Sequence, residues 1–294
     1  MILISIIVAL VIERLGARAD YWQIGFYADH YLKHSKKHLS DKGLFNSPVG
    51  FLIWLMLPVI AIALVYKLSD FIVWQLAVNT VVLLTCFGCA KQRALYKSYL
   101  NALTRNDQEA ATLFALQMGQ KQTEAEPQGE TFGQTLAWLN FRFYCAVIFW
   151  FVILGVPGAI LYGLVRTYAD KVRENHNMVY AKRFKLIHTL LFWLDWLPAR
   201  IASFGYLVIG NFNKGTSCWL KYVLDFSVSN RKVVTQTALA AEQIEQQYVG
   251  CTYEATCMMK LVKRNVLFFF SHYCRTHSIW WVGVVKLASC KGWL

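Results

Sequence analysis

The sequence predicts an all-α membrane protein with about four to five membrane-embedded segments, on three observations. Of the 294 residues, 56% are apolar and only 16% are charged, whereas soluble domains carry about 25% charged residues. The mean hydropathy is +0.36, although the formal net charge is +13. The apolar residues form long uninterrupted runs, and no stretch of useful length alternates as a half-buried strand would.

The composition excludes several other classes of protein. The chain is too apolar to be disordered, and its 17 Gly and 5 Pro are too few for a collagen-like chain. Eight Cys in 294 residues are too sparse for a small disulfide-stapled domain. The positive charge lies beside the apolar runs, so we expect an anionic lipid bilayer as partner and no nucleic acid.

Three runs are long enough to lie in a membrane, since a spanning helix needs about 20 apolar residues. No charge interrupts residues 49–66 (18 residues), 71–90 (20 residues) or 143–165 (23 residues). Only four residues, 67–70, separate the first two runs. They therefore predict a tight antiparallel helical hairpin.

The third run has two alternative topologies. Gly155-Val156-Pro157-Gly158 interrupts it near the middle, and basic residues flank both of its ends. Either it is a re-entrant hairpin bent at these residues, or one basic flank crosses the membrane against the positive-inside rule. A simple kink in a straight span would give the same sequence.

Two further runs contain ionisable residues. Residues 186–213 include His188, Asp195 and Arg200, and residues 265–285 include two histidines and an arginine. An ionisable group at membrane depth costs about 3 kcal/mol on insertion scales, so such groups usually face protein or water. We therefore expect these side chains to face the protein interior or water.

The chain divides into five predicted regions. Residues 1–12 are too short to span and are interpreted as a retained helix that dips into the membrane. The regions are 1–48, an N-terminal short membrane helix and basic segment; 49–90, a transmembrane helical hairpin; 91–140, a cytoplasmic helical and loop region; 141–213, a membrane-embedded region around a polar pocket; and 214–294, an amphipathic region with the last membrane segment.

Metal-binding motifs are weak in this sequence. His30, His34 and His38 share a helix face, but the interleaved lysines would repel a metal cation. A basic segment on anionic headgroups explains this pattern better. Cys86 and Cys89 have the spacing of a redox or metal pair, yet they end an apolar run, where cysteine is usually a small apolar residue. We predict no metal site.

The stronger functional signal is a polar cluster inside apolar surroundings at residues 194–200. Pro198 disfavours helix at Leu197 and is typical of a helix start. Asp195 is then predicted either to cap a new helix or to pair with Arg200. Broken helices that carry an acid and an arginine form phosphate or cation sites, although a structural ion pair at a bend would give the same pattern.

Three further clusters are of the same kind. They are Glu13 with Arg14 at the end of the first apolar helix, Arg105 with Asp107 after a polar-faced helix, and Asn140 with Arg142 at the entry to the third apolar run.

These motifs occur together in a known order. The strings are Ile12–Leu15, Tyr99-Leu100, Arg105–Asp107, Trp138–Tyr144 and Leu194–Arg200. Over about residues 1–225 they resemble the AmpE family, inner-membrane proteins named for β-lactamase regulation in Gram-negative bacteria. The resemblance implies an accessory or signalling protein of the bacterial inner membrane, linked to β-lactamase induction and cell-wall stress. It also implies a cytoplasm-facing polar pocket.

A second resemblance is to the CobD/CbiB cobalamin-biosynthesis family, which joins an aminopropanol unit to a corrinoid carboxylate with ATP. It rests on Gly-Val-Pro-Gly-Ala at 155–159 with Tyr162, and on Pro-Ala-Arg at 198–200. The chain reads Arg-Thr-Tyr-Ala-Asp at 166–170, where that family has Asn-Thr-Leu-Asp, and it keeps only Asp195 of an acidic pair. The alternative function is thus an ATP-dependent, amide-forming ligase acting on a membrane-proximal substrate.

The two functions assign the candidate residues differently. In a signalling protein they would bind a small-molecule or nucleotide ligand without turnover. In a ligase, the acids Glu13, Asp107 and Asp195 would hold Mg²⁺ and nucleotide or act as general base, and arginines would clamp phosphate. The candidate ligand-binding residues are Arg14, Arg105, Asn140, Arg142, Arg166 and Arg200. A ligase requires these side chains to line one pocket. The ligand and the oligomeric state are left open.

Overall fold

The computed structural model describes residues 2–15, 22–39, 47–88, 90–121, 129–174, 184–242 and 254–265. Within these ranges all regular structure is helical. The helices are α1 (Ile2–Leu15), α2 (Ile24–Leu39), α3 (Pro48–Lys67), α4 (Ile72–Phe87), α5 (Ala90–Thr104), α6 (Gln108–Gln117), α7 (Phe132–Asn140), a π-helix (Phe141–Cys145), α8 (Ala146–Leu154), α9 (Val156–Glu174), α10 (Phe184–Ile209), α11 (Phe212–Val223), α12 (Asn230–Glu242) and α13 (254–265). The predicted last membrane segment, 265–285, lies outside the described residues except at its first position.

Within the described residues, two helical units are long and apolar enough to cross a membrane. One is α3, and the other is the continuous unit Phe132–Leu154 formed by α7, the π-helix and α8. Helices α4 and α5 together would make a third, bent by 51° where they meet. Helix α1 is apolar but shorter than a span. The predicted all-α membrane fold is confirmed.

Helix α9 is the centre of the bundle. It packs against α2, α3, α4, α8 and α10, and it buries Ala159, Tyr162, Tyr168 and Val172 among them. The neighbours approach closely, since a Cβ at Gly163 would lie 2.6 Å from the Ile24 side chain. The polar groups of α9 are therefore surrounded by protein.

The chain reverses direction at Gly155, between α8 and α9. Gly155 has φ +68°, a left-handed conformation that glycine adopts without steric cost. A Cβ at Gly158 would lie 2.5 Å from the Trp150 carbonyl oxygen, so the start of α9 folds back onto α8. Residues 143–165 therefore form two packed helices, and the α8 arm continues backwards to Phe132. The structure thus has a sharp bend at Gly155 in place of a simple kink in a straight span.

Helix α10 corrects the interpretation of Pro198. The sequence predicts a helix start there, but α10 continues through Pro198 from Phe184 to Ile209. Proline lacks the N–H that would bond the carbonyl of Leu194, four residues earlier. The indole Nε1 of Trp150 donates to that carbonyl instead, at 3.0 Å. A partner from α8 thus replaces the missing helical bond.

A second, smaller hydrophobic cluster joins α5, α6, α7 and α13. Its buried residues are Tyr99, Ala102, Ala111, Ala115, Met118, Phe132, Leu136 and Ala255. The Tyr99 and Phe132 rings lie 4.1 Å apart between centroids. Most of the region predicted to be polar, 91–140, thus packs around its own core.

Candidate functional site

Five polar side chains meet where α9 passes the π-helix and α10. We call this set the central polar cluster; it consists of Arg142, Tyr162, Arg166, Asp170 and Asp195. Tyr162, Arg166 and Asp170 follow one another at four-residue spacing and so share one face of α9. With two arginines and two acids, the cluster has no formal net charge.

Arg166 lies at the inner end of the cluster and is only 2% exposed. Its guanidinium donates to the carbonyl oxygens of Cys86 at 2.7 Å and of Arg142 at 2.8 Å. It also lies 4.4 Å from the ring centroid of Phe143. Arg166 therefore ties α9 to the end of α4 and to the π-helix.

Arg142 and Asp170 form an ion pair at the outer edge of the cluster, with 3.0 Å between Nη1 and Oδ1. Arg142 projects from the π-helix, where the N–H of Ala146 bonds the carbonyl of Phe141, five residues back. Its Nε is buried without a hydrogen-bond partner among the described residues. Asp170 is 39% exposed, so this pair joins the buried cluster to the surface.

Asp195 is the buried acid of the cluster. It accepts a hydrogen bond from the Tyr162 hydroxyl at 2.8 Å and is 3% exposed. The charges of Arg142 and Arg166 act on it from nearby. The predicted role of Asp195 as a helix cap is wrong, because it lies inside α10.

An open surface cleft of about 510 Å³ adjoins the first turns of α10. Lys185, His188, Thr189 and Phe192 line it. His188 is within electrostatic reach of Arg142 and Asp170. Through His188 the cleft is near the outer edge of the central polar cluster, whose five side chains do not line it.

Arg200 projects from the side of α10 that faces away from Asp195, and its partners lie there. It donates to the carbonyl of Asp225 at 3.0 Å and to the side chain of Asn230, and its guanidinium lies 4.9 Å from the ring centroid of Trp196. Five helical residues turn through about 140°, which points Asp195 and Arg200 away from each other. The predicted pair between them is therefore wrong.

The carboxyl group of Asp225 belongs to the loop that Arg200 holds. The Ser227 hydroxyl and backbone N–H both donate to this carboxylate, at 2.6 and 2.8 Å. These bonds favour the charged form and lower the pKa of Asp225. The result is a compact loop between α11 and α12.

Glu13 belongs to a separate polar group. It is 6% exposed and accepts from the Tyr144 hydroxyl at 2.9 Å. Arg93 forms an ion pair with it at 2.8 Å and also donates to its backbone carbonyl at 3.0 Å. These contacts join α1, α5 and the π-helix. The side chain of Arg14 lies outside the described residues.

The remaining predicted residues lie apart from both groups. Arg105 and Asp107 are exposed at the α5–α6 turn. Asp107 is the N-cap of α6 and accepts from the N–H of Ala110 at 3.0 Å. Asn140 accepts a weak hydrogen bond from the Cys145 thiol at 3.6 Å. Each of these side chains has a local contact or faces solvent.

The structure thus brings Arg142, Arg166 and Asp195 together in one cluster. The other described candidate residues lie elsewhere in the fold. Sequence reasoning missed Asp170 and Arg93 as partners of these residues. The four-residue spacing of polar side chains in α9 was the signal that could have indicated Asp170. Arg93 carried no such signal, since its partner Glu13 is 80 residues away.

A buried polar contact also links α13 to the start of α7. Thr131 caps α7 in a capping box with Gln134. Its hydroxyl donates to the carboxylate of Glu254, which is fully buried. A negative charge is favourable at a helix N-terminus, so this contact fixes α13 against α7. Sequence reasoning did not single out either residue.

Comparison with known proteins places the chain among membrane signalling proteins. The family model described as "Regulatory signalling modulator protein AmpE" matches residues 1–269. Protein AmpE of Shigella flexneri is 25% identical over 251 residues, which cover 81% of this chain and 84% of that protein. No solved structure matches.

A shorter match connects the chain to cobalamin biosynthesis. Cobalamin biosynthesis protein CobD of Chromobacterium violaceum is 39% identical over 80 residues, which cover 25% of this chain and 23% of that protein. This similarity is partial, whereas the match to the regulatory family extends over most of the helices described above. The chain therefore belongs to the AmpE family of regulatory signalling modulator proteins.

Proposed function

We propose that this protein acts in the bacterial inner membrane as a signalling component linked to β-lactamase induction and cell-wall stress. Its responsive part would be the central polar cluster with the adjoining cleft, facing the cytoplasm and binding a small molecule. The relatedness to Protein AmpE of Shigella flexneri supports the family role, and the geometry of the cluster supports this choice of responsive part.

The charge distribution supports a cytoplasmic orientation of the cleft. Residues 166–185 contain six Lys or Arg and two acidic residues. This stretch includes the end of α9 and the start of α10, whose residue Lys185 lines the cleft. Short segments rich in Lys and Arg remain on the cytoplasmic side of bacterial membranes.

The observation that carries the proposal is the bonding of the buried charges. Arg166 binds two backbone carbonyls, Asp195 binds Tyr162, and Arg142 binds Asp170. These contacts connect α4, the π-helix, α9 and α10 to one another. A ligand that shifted Arg142 or Asp170 would therefore change how four elements pack, which is what a signal requires.

The test uses a bacterium with an inducible β-lactamase and no copy of its own for this protein. It receives the wild-type chain, Asp195→Asn, or Asp70→Asn as control, because Asp70 lies in the short turn between α3 and α4. We expect the wild type to change the β-lactamase activity that an inducer evokes, Asp195→Asn to lose most of that change, and Asp70→Asn to keep it.

Two outcomes would contradict this proposal. One is that the wild-type chain leaves induction as it is with an empty plasmid. The other is that Asp195→Asn and Asp70→Asn, at equal membrane levels, behave alike. Immunoblotting of membrane fractions measures those levels.

The ligase is a second candidate, supported by the 80-residue match to the cobalamin biosynthesis protein CobD. Mg²⁺ and ATP would then bind near Asp195. The positions of Glu13 and Asp107, which bond other partners, count against a single nucleotide site built from all three acids. Calorimetry of the purified protein with Mg²⁺–ATP tests it. Binding that Asp195→Ala abolishes supports the ligase, and no binding to the wild type overturns it.

A further inference from the structure

Helices α10 and α11 form a hairpin whose outer surface carries an apolar stripe from Trp193 onwards. Helix α11 runs back along α10, because Trp219 donates to the carbonyl of Arg200 at 3.2 Å and its ring lies 5.5 Å from that of Phe204. Farther along, Phe226 stacks on Trp196 at 4.9 Å between centroids. The two helices therefore present one shared surface.

Nine large apolar side chains are exposed on this hairpin. Those of α10 are Trp193, Leu197, Ile201, Phe204 and Val208, and those of α11 and the loop after it are Phe212, Leu220, Leu224 and Phe226. The α10 residues recur every three or four positions and so form one stripe. From the first to the last the stripe is about 22 Å long, at about 1.5 Å per residue. A continuous apolar surface of this kind marks an interaction site.

The stripe resembles the outer face of α3, which is a candidate membrane span. On α3, Ile53, Leu57, Ile60 and Leu64 are 56–64% exposed. The α10 stripe, Trp193 to Val208, is 38–56% exposed and has no charged side chain on it. Asp195 and Arg200, the two charged residues of α10 between Trp193 and Val208, are both buried, at 3% and 4% exposure. They are thus absent from the outer surface of this part of the helix, and the exposed Lys185 lies two turns before the stripe.

Helix α11 adds a polar edge to the same surface. Lys214 and Lys221 are exposed and lie seven residues apart, so they share one helix face. Asn213 and Ser217 are exposed between and beside them. An amphipathic helix with lysines on its polar side is typical of the headgroup region of an anionic membrane.

The spacing of the two lysines indicates how the hairpin is oriented. Seven residues of helix span about 10 Å. If α11 ran along the membrane normal, one of the two ammonium groups would lie well below the headgroups. Both reach the phosphates at once if α11 runs in the plane of the membrane, with its apolar edge and the α10 stripe towards the acyl chains.

We propose that the α10–α11 hairpin lies in the membrane interface, where its apolar surface contacts acyl chains and Lys214 and Lys221 contact anionic phosphate headgroups. The hairpin would then be a docking surface for anionic lipid, besides the spans that length and composition identify. This inference does not depend on the proposed signalling function.

The test places spin labels on the full chain in phosphatidylcholine–phosphatidylglycerol vesicles. Single cysteines at Ile201, Leu220 and Ser217 are introduced after the eight native cysteines are replaced. We expect oxygen to relax the labels at 201 and 220 more than a water-soluble nickel complex does, and the reverse at 217. Stronger relaxation by the nickel complex than by oxygen at 201 and 220 would overturn the proposal, because it would show that this surface faces water. Labels at 201 and 220 that neither reagent relaxes would also overturn it, because a second copy of the chain would then cover this surface.

A charge variant tests the headgroup contact. Lys214→Gln with Lys221→Gln should move the label at 220 towards the surface in vesicles with phosphatidylglycerol, and leave it unmoved in pure phosphatidylcholine. Lys97→Gln, an exposed lysine of α5, is the matched control and should move nothing. An equal shift in both vesicles, or no shift in either, would contradict the contact with anionic headgroups.

A second measurement avoids the replacement of cysteines. A photo-crosslinking amino acid at 201, 220 or 217 in the otherwise native chain should give lipid adducts at the first two sites and few at the third, by mass spectrometry. Adducts between two copies of the chain at 201 and 220 would overturn the proposal. This result does not depend on how the cysteine-free chain folds.

Discussion

Arg166 shows how a charged side chain is accommodated at the centre of an apolar bundle. Its guanidinium is directed at two backbone carbonyls, that of Cys86 at the end of α4 and that of Arg142 in the π-helix. Helix ends and π-turns leave carbonyls without their normal partners. A planar group with five donors can serve two such sites together, which the compact ammonium group of lysine cannot do as well.

Replacing Arg166 should therefore destabilise the fold strongly. In Arg166→Met, the two carbonyls lose their donor and the cluster keeps two acids against one arginine. Removing one partner from a buried ionic network costs about 3–5 kcal/mol. We expect a marked fall in the thermal unfolding midpoint of the detergent-solubilised protein. Arg173→Met, at an exposed position near the end of the same helix, should change it little, and equal effects would contradict this account of Arg166.

The Asp195 region shows what sequence reasoning can and cannot find at the residue level. Burial of Asp195 and Arg200 follows from the cost of charge in apolar surroundings, and both are buried. Their partners do not follow, because Tyr162 is 33 residues from Asp195 and Asn230 is 30 residues from Arg200. Local spacing suggested a pair between them, but packing with α9 and α12 determines the contacts.

At the level of helices, the junction of α8 and α9 is the feature that shapes the bundle. The turn at Gly155 and the close approach at Gly158 let two helices reverse within a few residues. This reversal puts α9 in the middle of the bundle. The sequence predicted the break from its two glycines and proline, but it could not tell which helices would surround the returning arm.

A side chain at Gly158 should open this junction. In Gly158→Ala, the new Cβ would come 2.5 Å from the backbone oxygen of Trp150, and overpacking of this kind costs about 1–3 kcal/mol. Gly25→Ala is the control, since no atom lies within 4 Å of its Cβ position and alanine favours helix by up to about 1 kcal/mol. The unfolding midpoint should fall in the first variant and stay or rise in the second. A fall of equal size in both would contradict the close packing.

Helix α10 continues through Pro198 because of a contact between residues that are far apart in the sequence, as with the partners of Asp195 and Arg200. The rule that proline ends or starts a helix assumes that the freed carbonyl has no other donor. Here the indole of Trp150 provides one, from 44 residues away. Apolar run length predicted α3 and α4 well because it depends only on neighbouring residues. Continuity through a proline depends on tertiary contacts.

At the scale of the whole molecule, the described residues are arranged around two unequal hydrophobic cores. The larger surrounds α9, and the smaller joins α5, α6, α7 and α13. Helices α7 and α13 contribute to both, because Ala137 and Met258 pack in the first and Leu136 and Ala255 in the second. Two cores that share only some of their helices are expected to differ in local stability.

Hydrogen exchange should reveal this difference. Backbone amides of α9 are covered on all sides by other helices, whereas α6 exposes Leu113 and Leu116. We expect slow exchange in α9 and exchange at least about tenfold faster in α6, since each 1.4 kcal/mol of local stability changes exchange about tenfold. Mass spectrometry of the protein in nanodiscs gives both rates, and equal protection would indicate a single cooperative unit.

The π-helix at Phe141–Cys145 has a consequence for how the chain tolerates insertions and deletions. A π-turn holds one residue more than an α-turn, and each α-helical residue rotates the chain by about 100°. Deleting one residue from this turn would restore a regular helix and rotate Phe132–Asn140 by about 100° against Ala146–Leu154. Helix α7 packs on α12, and α8 packs on α9. After the deletion, the two packing faces would no longer point in the directions that these contacts require. The extra residue thus sets the angular offset at which one span can serve both cores.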